Sequence, residues 1–85
     1  MSSAVEVIRD FIRAGANVSK SDDLFSDQVD LLDYGYLDSF GIVGLMEMVE
    51  QRFGVDLSDV DFYAKDHRTI QGITALVETR QGRKA

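Results

Sequence analysis

Apolar positions recur every three or four residues over the first stretch of the chain. Val5, Ile8, Phe11 and Ile12 share one helical face, Ser3 is placed to cap it, and Gly15 is placed to end it, so a helix over Ser3–Ala14 is predicted. From Gly15 to Asp38 the periodicity is lost. Apolar anchors persist there (Val18, Leu24, Phe25, Val29, Leu31, Leu32, Tyr34, Tyr36, Leu37). A structureless loop of that length is unusual, so this one is expected to pack back on the core, with a turn of helix near Asp22–Phe25. Helix periodicity returns over Ser39–Phe53, with Asp38 as cap and Gly54 as stop. Wound at 100° per residue, Ile42, Leu45, Met46, Val49 and Phe53 form a core stripe. Ser39, Phe40, Val43, Gly44, Glu47, Glu50 and Gln51 fall on a second face, part apolar and part acidic.

A short third helix is predicted around Asp59–Tyr63, anchored by Val60, Phe62 and Tyr63. Thr69 caps a last helix from Ile70 to about Arg80, with Ile70, Ile73 and Val77 as its stripe and Ala75 and Leu76 flanking. The polar tail Gln81–Ala85 is expected to fray. No alternating strand pattern stands out. The predicted fold is all-α, a small four-helix bundle of three main helices and a short third one, with a long first loop. The whole chain, 1–85, reads as one domain with an ordered core over about 3–80.

Composition narrows the function. Hydrophobic residues make up 45% of the chain, enough for a globular core. Without Cys there is neither a disulfide framework nor a thiolate metal site, and one His makes zinc or haem ligation a poor fit. No apolar run reaches bilayer length and the N-terminus lacks a secretory pattern, so a cytoplasmic protein that does not insert into membranes is expected. The net charge of −6 is uneven. Asp22 to Asp66 holds twelve acidic residues against Arg52 and Lys65, a net charge of −10 over that span. Such a surface repels nucleic acid and anionic membranes and either steers basic protein partners or merely keeps a small domain soluble.

Catalytic chemistry is missing. A nucleophile needs a base and an orienter beside it. His67, between Asp66 and Arg68 just before a helix, reads as a surface or capping residue. The run DLSDVDFYAKDHR suggests calcium, but Ala64 and Ile70 stand where the loop needs Gly and the bidentate Glu. No catalytic residue and no metal site is assigned.

Ser39 is the residue that asks for an explanation. A first-turn serine ordinarily satisfies free amides, yet Asp38 already offers the better cap. Ser39 opens the second face, and a helix N-terminus is a natural seat for phosphate. Here the sequence resembles the acyl carrier protein family. Leu37-Asp38-Ser39-Phe40 is similar to the family's Asp-Ser-Leu signature. The segment DLLDYGYLDSFGIVGLMEMVEQRFGVDL resembles its loop and second helix, and RTIQGITALV its Thr-initiated last helix.

The resemblance implies that Ser39 carries 4′-phosphopantetheine, transferred from coenzyme A by a phosphopantetheinyl transferase that supplies its own metal and base. Asp38 would flank the site as helix cap and as a feature that the transferase reads. The arm's thiol would hold acyl or aminoacyl groups as thioesters. The chain would present them to loading ligases and to synthases of fatty-acid, polyketide or related biosynthesis, without catalysing anything itself. Phe40, Val43, Glu47 and Glu50 would be the docking face for basic-surfaced partners of a monomeric carrier.

Phe40 stands where the family has Leu, Gly41 where it has a polar residue and Gly44 where it has a helix former. Two glycines inside a helix cost about 1 kcal/mol each against Ala, which points to an arm or partner passing close, the alternative being that the cost is simply tolerated. The flavour of DYGYLDSFG, with Tyr34 and Tyr36 before the serine, is nearer to discrete carriers of specialised pathways. The competing reading is an acidic docking module without prosthetic group. A serine hydrolase fails for want of a base.

Overall fold

The computed structural model describes residues 3–82. Helix α1, Ala4–Ala16, begins with a capping box. The Glu6 amide donates to Ser3 Oγ (3.3 Å), and the Ser3 amide donates to Glu6 Oε1 (3.1 Å). It runs two residues past the predicted end, because Gly15 stays helical and Asn17 ends it instead. Asn17 takes the left-handed conformation (φ 54°, ψ 49°). Its amide reaches the Ala14 carbonyl and the Val18 amide that of Arg13, the Schellman pattern. Asparagine tolerates this region better than any residue bearing a larger side chain.

Helix α2, Ser39–Phe53, has the predicted bounds and ends on Gly54 at φ 69°. Helix α3, Ile70–Gly82, is capped by Thr69, whose Oγ1 accepts from the Gly72 amide at 2.9 Å. Helix α3 extends two residues past the predicted end, through Gly82, and the rest of the expected tail lies outside the described residues. The short third helix is displaced. Asp59–Tyr63 forms turns, and a 3-10 turn spans Lys65–His67. The carboxylates of Asp56 and Asp61 take the Ser58 and Tyr63 amides at 2.8 and 2.9 Å. Such local bonds compete with helix formation. Of the expected anchors there, Phe62 is buried, Val60 half-buried and Tyr63 exposed. No strand occurs among the described residues, so the domain is all-α.

The three helices enclose one core. Ile8 and Ile12 of α1, Leu45 and Val49 of α2, and Ile70, Ile73 and Val77 of α3 are all buried. Burying each contributes roughly 1.5–3 kcal/mol. Of the remaining stripe residues, Ile42 is also buried, and Val5, Phe11, Met46, Phe53 and Leu76 pack half-buried around this centre. Ala75 is exposed.

The long first loop is held from both sides. Arg9 of α1 pairs with Asp27, and the Asp27 carbonyl accepts the Gln71 amide of α3 (2.9 Å). The Leu31 amide donates to the Arg68 carbonyl (2.8 Å), while the Arg68 guanidinium lies against Asp30 and Asp33 and donates to the Tyr63 carbonyl. Leu31 and Leu37 are buried beneath it. Asp22–Phe25 makes turns rather than a turn of helix, and Leu24 is 60% exposed instead of anchored. The Asp22 carboxylate takes the Leu24 amide, again a local bond in place of a helical one.

Candidate functional site

Asp38 sets the geometry at the start of α2. Its backbone is extended (φ −129°, ψ −173°). Its Oδ1 accepts from the Gly41 amide and its carbonyl from the Ile42 amide, both at 2.8 Å. Ser39 is then the first helical residue and is exposed. Its hydroxyl has no hydrogen-bond partner among the described residues, and neither do the Ser39 and Phe40 amides. No acidic residue occupies the first turn of α2. An unencumbered nucleophilic oxygen therefore sits at the positive end of a helix with two amide donors open beside it, which suits a phosphate ester.

The second face predicted for α2 divides in two. Phe40 (88% exposed), Val43 (50%), Glu47 and Glu50 all face solvent. Neither glutamate makes an ion pair among the described residues. Phe40 is the most exposed large apolar side chain among the described residues, ahead of Leu24, Tyr63 and Tyr34. Gly44, by contrast, is covered. A Cβ there would lie 3.4 Å from Phe11 Cζ, and one on Gly41 would lie 2.9 Å from Leu37 Cδ1. Gly44 thus faces the Phe11 ring of α1 across an ordinary van der Waals distance, and Gly41 packs against the flexible end of Leu37.

Tyr34 and Tyr36 have different fates. Tyr34 is 56% exposed. Tyr36 turns inward, donates its hydroxyl to Asp22 Oδ2 at 2.7 Å, and meets the Phe25 ring edge-on at 5.1 Å. Arg13 covers the other ring of this pair, its guanidinium 4.9 Å from the Phe25 centroid. The hydrogen bond to Asp22 pushes the Tyr36 phenol up to about 12 and holds the Asp22 carboxyl below its ordinary range.

A groove of about 410 Å³ opens between the end of α1 and the start of α2. Phe11, Ile12, Tyr36, Leu37 and Phe40 supply its apolar walls, and Gly15, Gly35, Gly41 and Gly44 line it without side chains. The sequence pattern did not foretell it. The spacing of Gly41 and Gly44 is visible in the sequence, but that Phe11 of α1 lies over Gly44 is not.

His67 is half-buried, with Nδ1 2.9 Å from the Asp61 carbonyl oxygen, an anchoring contact rather than a base beside a nucleophile. Among the described residues no cluster of three or more acidic or His side chains could hold a metal ion. No helix there is long and apolar enough to cross a membrane.

A family model described as "Phosphopantetheine attachment site" matches residues 6–77, from the first turn of α1 into α3, with Ser39 inside the matched span. Among curated proteins, no relative matches the chain.

Proposed function

Because the chain belongs to the phosphopantetheine-attachment family of non-catalytic carrier proteins, we propose that Ser39 is the residue that bears its 4′-phosphopantetheine. The observation that carries this reading is the exposed, unbonded Ser39 hydroxyl at the N-terminus of α2 beside two open amides. The group supplies a thiol to a chain that has no Cys, and so lets it hold acyl groups as thioesters.

Loading requires little of the carrier. The Ser39 oxygen would form the new bond to phosphorus as the pyrophosphate linkage of coenzyme A breaks and adenosine 3′,5′-bisphosphate leaves. The hydroxyl proton leaves to a base on the transferase, which also brings the metal. Asp38 contributes by fixing the helix start through Gly41, so that the first turn stays ordered whatever Ser39 carries. It also marks the site for the transferase.

Phe40, Val43, Glu47 and Glu50 serve as the docking face. The glutamates steer basic partners and the apolar pair makes the central contact. Partners are the phosphopantetheinyl transferase, a ligase that loads an acyl or aminoacyl group, and synthases of fatty-acid, polyketide or specialised biosynthesis. The carrier domain works as a cytoplasmic monomer.

Intact-protein mass spectrometry and peptide mapping after incubation with coenzyme A and a transferase test the assignment. One arm on Ser39 is expected. An arm on Ser26 or Ser58 overturns the site. An unmodified chain under conditions that modify a known carrier favours a docking module without prosthetic group.

A further inference from the structure

We propose that Tyr36 is a positioning residue for arm transfer, and that its hydroxyl bond to Asp22 holds Ser39 in the orientation the transferase uses. The inference rests on Ser39 being the attachment residue. Residues 34–38 form the approach to α2, and their backbone bonds are local. The Tyr34 amide donates to the Asp30 carbonyl and the Gly35 amide to that of Leu32. The Tyr36 and Leu37 amides share the Leu31 carbonyl, at 2.9 and 3.1 Å. Asp38 bonds forward, into the first turn of α2. Among the described residues, one hydrogen bond from this approach reaches back beyond residue 30. It runs from Tyr36 Oη to Asp22 Oδ2 (2.7 Å), fourteen positions away in the chain.

Asp22 is itself fixed. Its other oxygen, Oδ1, accepts the Leu24 amide at 3.0 Å, and Phe25, next along, meets the Tyr36 ring edge-on. Arg13, in the last turn of α1, lies over the Phe25 ring. The end of one helix and the approach to the next are thus joined by a cation–ring contact, a ring pair and a hydrogen bond.

A plain loop anchor is the other reading of this bond. The loop has anchors of its own, Arg9 on Asp27 and Arg68 on Asp30 and Asp33. Both grip it before residue 34 and leave the approach to Ser39 untouched. Buried Leu37 fixes the depth of that approach, but apolar burial is non-directional. A hydrogen bond is directional, and one to a carboxylate is about twice as strong as a neutral one. The Tyr36 bond therefore sets the rotation of residues 36–38, and with it where the Ser39 oxygen points. Transfer depends on that direction. The oxygen must meet phosphorus in a near-attack geometry, and a misplacement of about 1 Å can cost about a hundredfold in rate.

The test uses the full chain with coenzyme A and a phosphopantetheinyl transferase. Peptide mapping of the wild type first locates the arm, and its absence from Ser39 counts against the attachment site rather than against Tyr36. Tyr36→Phe keeps the ring and removes the hydroxyl, and Asp22→Ala removes the acceptor. Tyr34→Phe, which strips the hydroxyl from an exposed tyrosine two residues away, is the control. The kcat of transfer should fall about tenfold in Tyr36→Phe and in Asp22→Ala. KM for the carrier should stay within about twofold, since Phe40, Val43, Glu47 and Glu50 are unchanged. The double variant should be no slower than either single one. Asp22→Asn, which keeps a hydrogen-bonding partner for the hydroxyl, should recover most of the rate, and Tyr34→Phe should match wild type. Amide NMR signals of Leu37, Ser39 and Gly41 should shift alike in Tyr36→Phe and Asp22→Ala, with circular dichroism as the folding control. A bond that serves stability alone would lower the urea midpoint of Tyr36→Phe and leave kcat at the wild-type value, since the chain stays folded without denaturant. That result, a raised KM at constant kcat, or additive losses in the double variant would overturn the proposal.

Discussion

Gly72, in the first turn of α3, lies so close to the backbone carbonyl of Asp66 that a Cβ there would overlap the carbonyl oxygen. Its amide is meanwhile fixed to Thr69 Oγ1 at 2.9 Å. Backbone on one side and a cap on the other leave the helix start no room to move. Gly72→Ala is therefore expected to destabilise by about 3 kcal/mol or more, or to prevent folding. Gly15→Ala, inside α1 with open space around it, should stabilise by about 1 kcal/mol. Urea melts of the two variants measure both, and equal midpoints would contradict the packing described for α3.

Ser39→Ala should lose all arm loading while changing stability by less than about 1 kcal/mol, because the Ser39 side chain bonds to nothing among the described residues and Asp38 supplies the cap. Leu45→Ala removes a fully buried side chain and should cost about 2–5 kcal/mol. If Ser39→Ala proves the more damaging in denaturant melts, the serine has a structural task.

Docking separates into charge and contact. Glu47→Lys should slow arm transfer mainly by slowing association, with raised salt bringing wild type down toward the variant. Val43→Asp should impair transfer with little salt dependence. Both positions are exposed, so both variants should fold as wild type does. Transfer rates against ionic strength decide. If neither variant is slower at low salt, the loop bearing Tyr34 becomes the docking surface.

Acid should loosen the first loop. Hydrogen bonds from the Arg9 guanidinium hold the Asp27 carboxyl below the ordinary carboxylate range, and the Asp33 amide does the same for Asp30. A lowered folded-state pKa contributes stability above the unfolded value of about 4, and that stability is lost as pH falls through the folded value. Thermal midpoints are expected to be level above about pH 5 and to fall steadily below about pH 4. Asp27→Asn should lower the midpoint at neutral pH and flatten the acid limb. An acid limb unchanged in Asp27→Asn would mean that the loop pair is not what titrates.

Tyr36 supplies the opposite limb. Its phenol, raised to about 12 by the bond to Asp22, contributes stability below the ordinary tyrosine value of about 10 that is lost as pH climbs through the folded value. An ultraviolet titration of wild type against Tyr36→Phe should show one phenolate transition near 12 that the variant lacks. Its appearance near 10 instead would place the hydroxyl in water.

Periodicity, caps and a signature around one serine are local properties, and a local reading recovers them. Asp38 before a heptad-like stripe marks α2 to the residue, Thr69 marks the start of α3, and Leu37-Asp38-Ser39 identifies the family and its prosthetic group. The sequence by itself also determined that Phe40, Val43, Glu47 and Glu50 share a face, because residues three and four apart in a helix must. Where residues lie within bonding distance only after the chain has turned, the pattern is silent. Asn17 rather than Gly15 ends α1, since Gly15 is tolerated inside a helix and Asn17 can take the left-handed turn. Asx bonds at Asp56 and Asp61 move the short helical turn from Asp59–Tyr63 to Lys65–His67. Tyr34 and Tyr36, alike in sequence, part company because one meets Asp22 and Phe25 across the loop and the other meets water. Only the tertiary structure lays Phe11 of α1 over Gly44 and Leu37 of the loop over Gly41, beside an open groove. Contacts between distant segments depend on how whole helices pack, and no spacing along one helix encodes which neighbour will cover it.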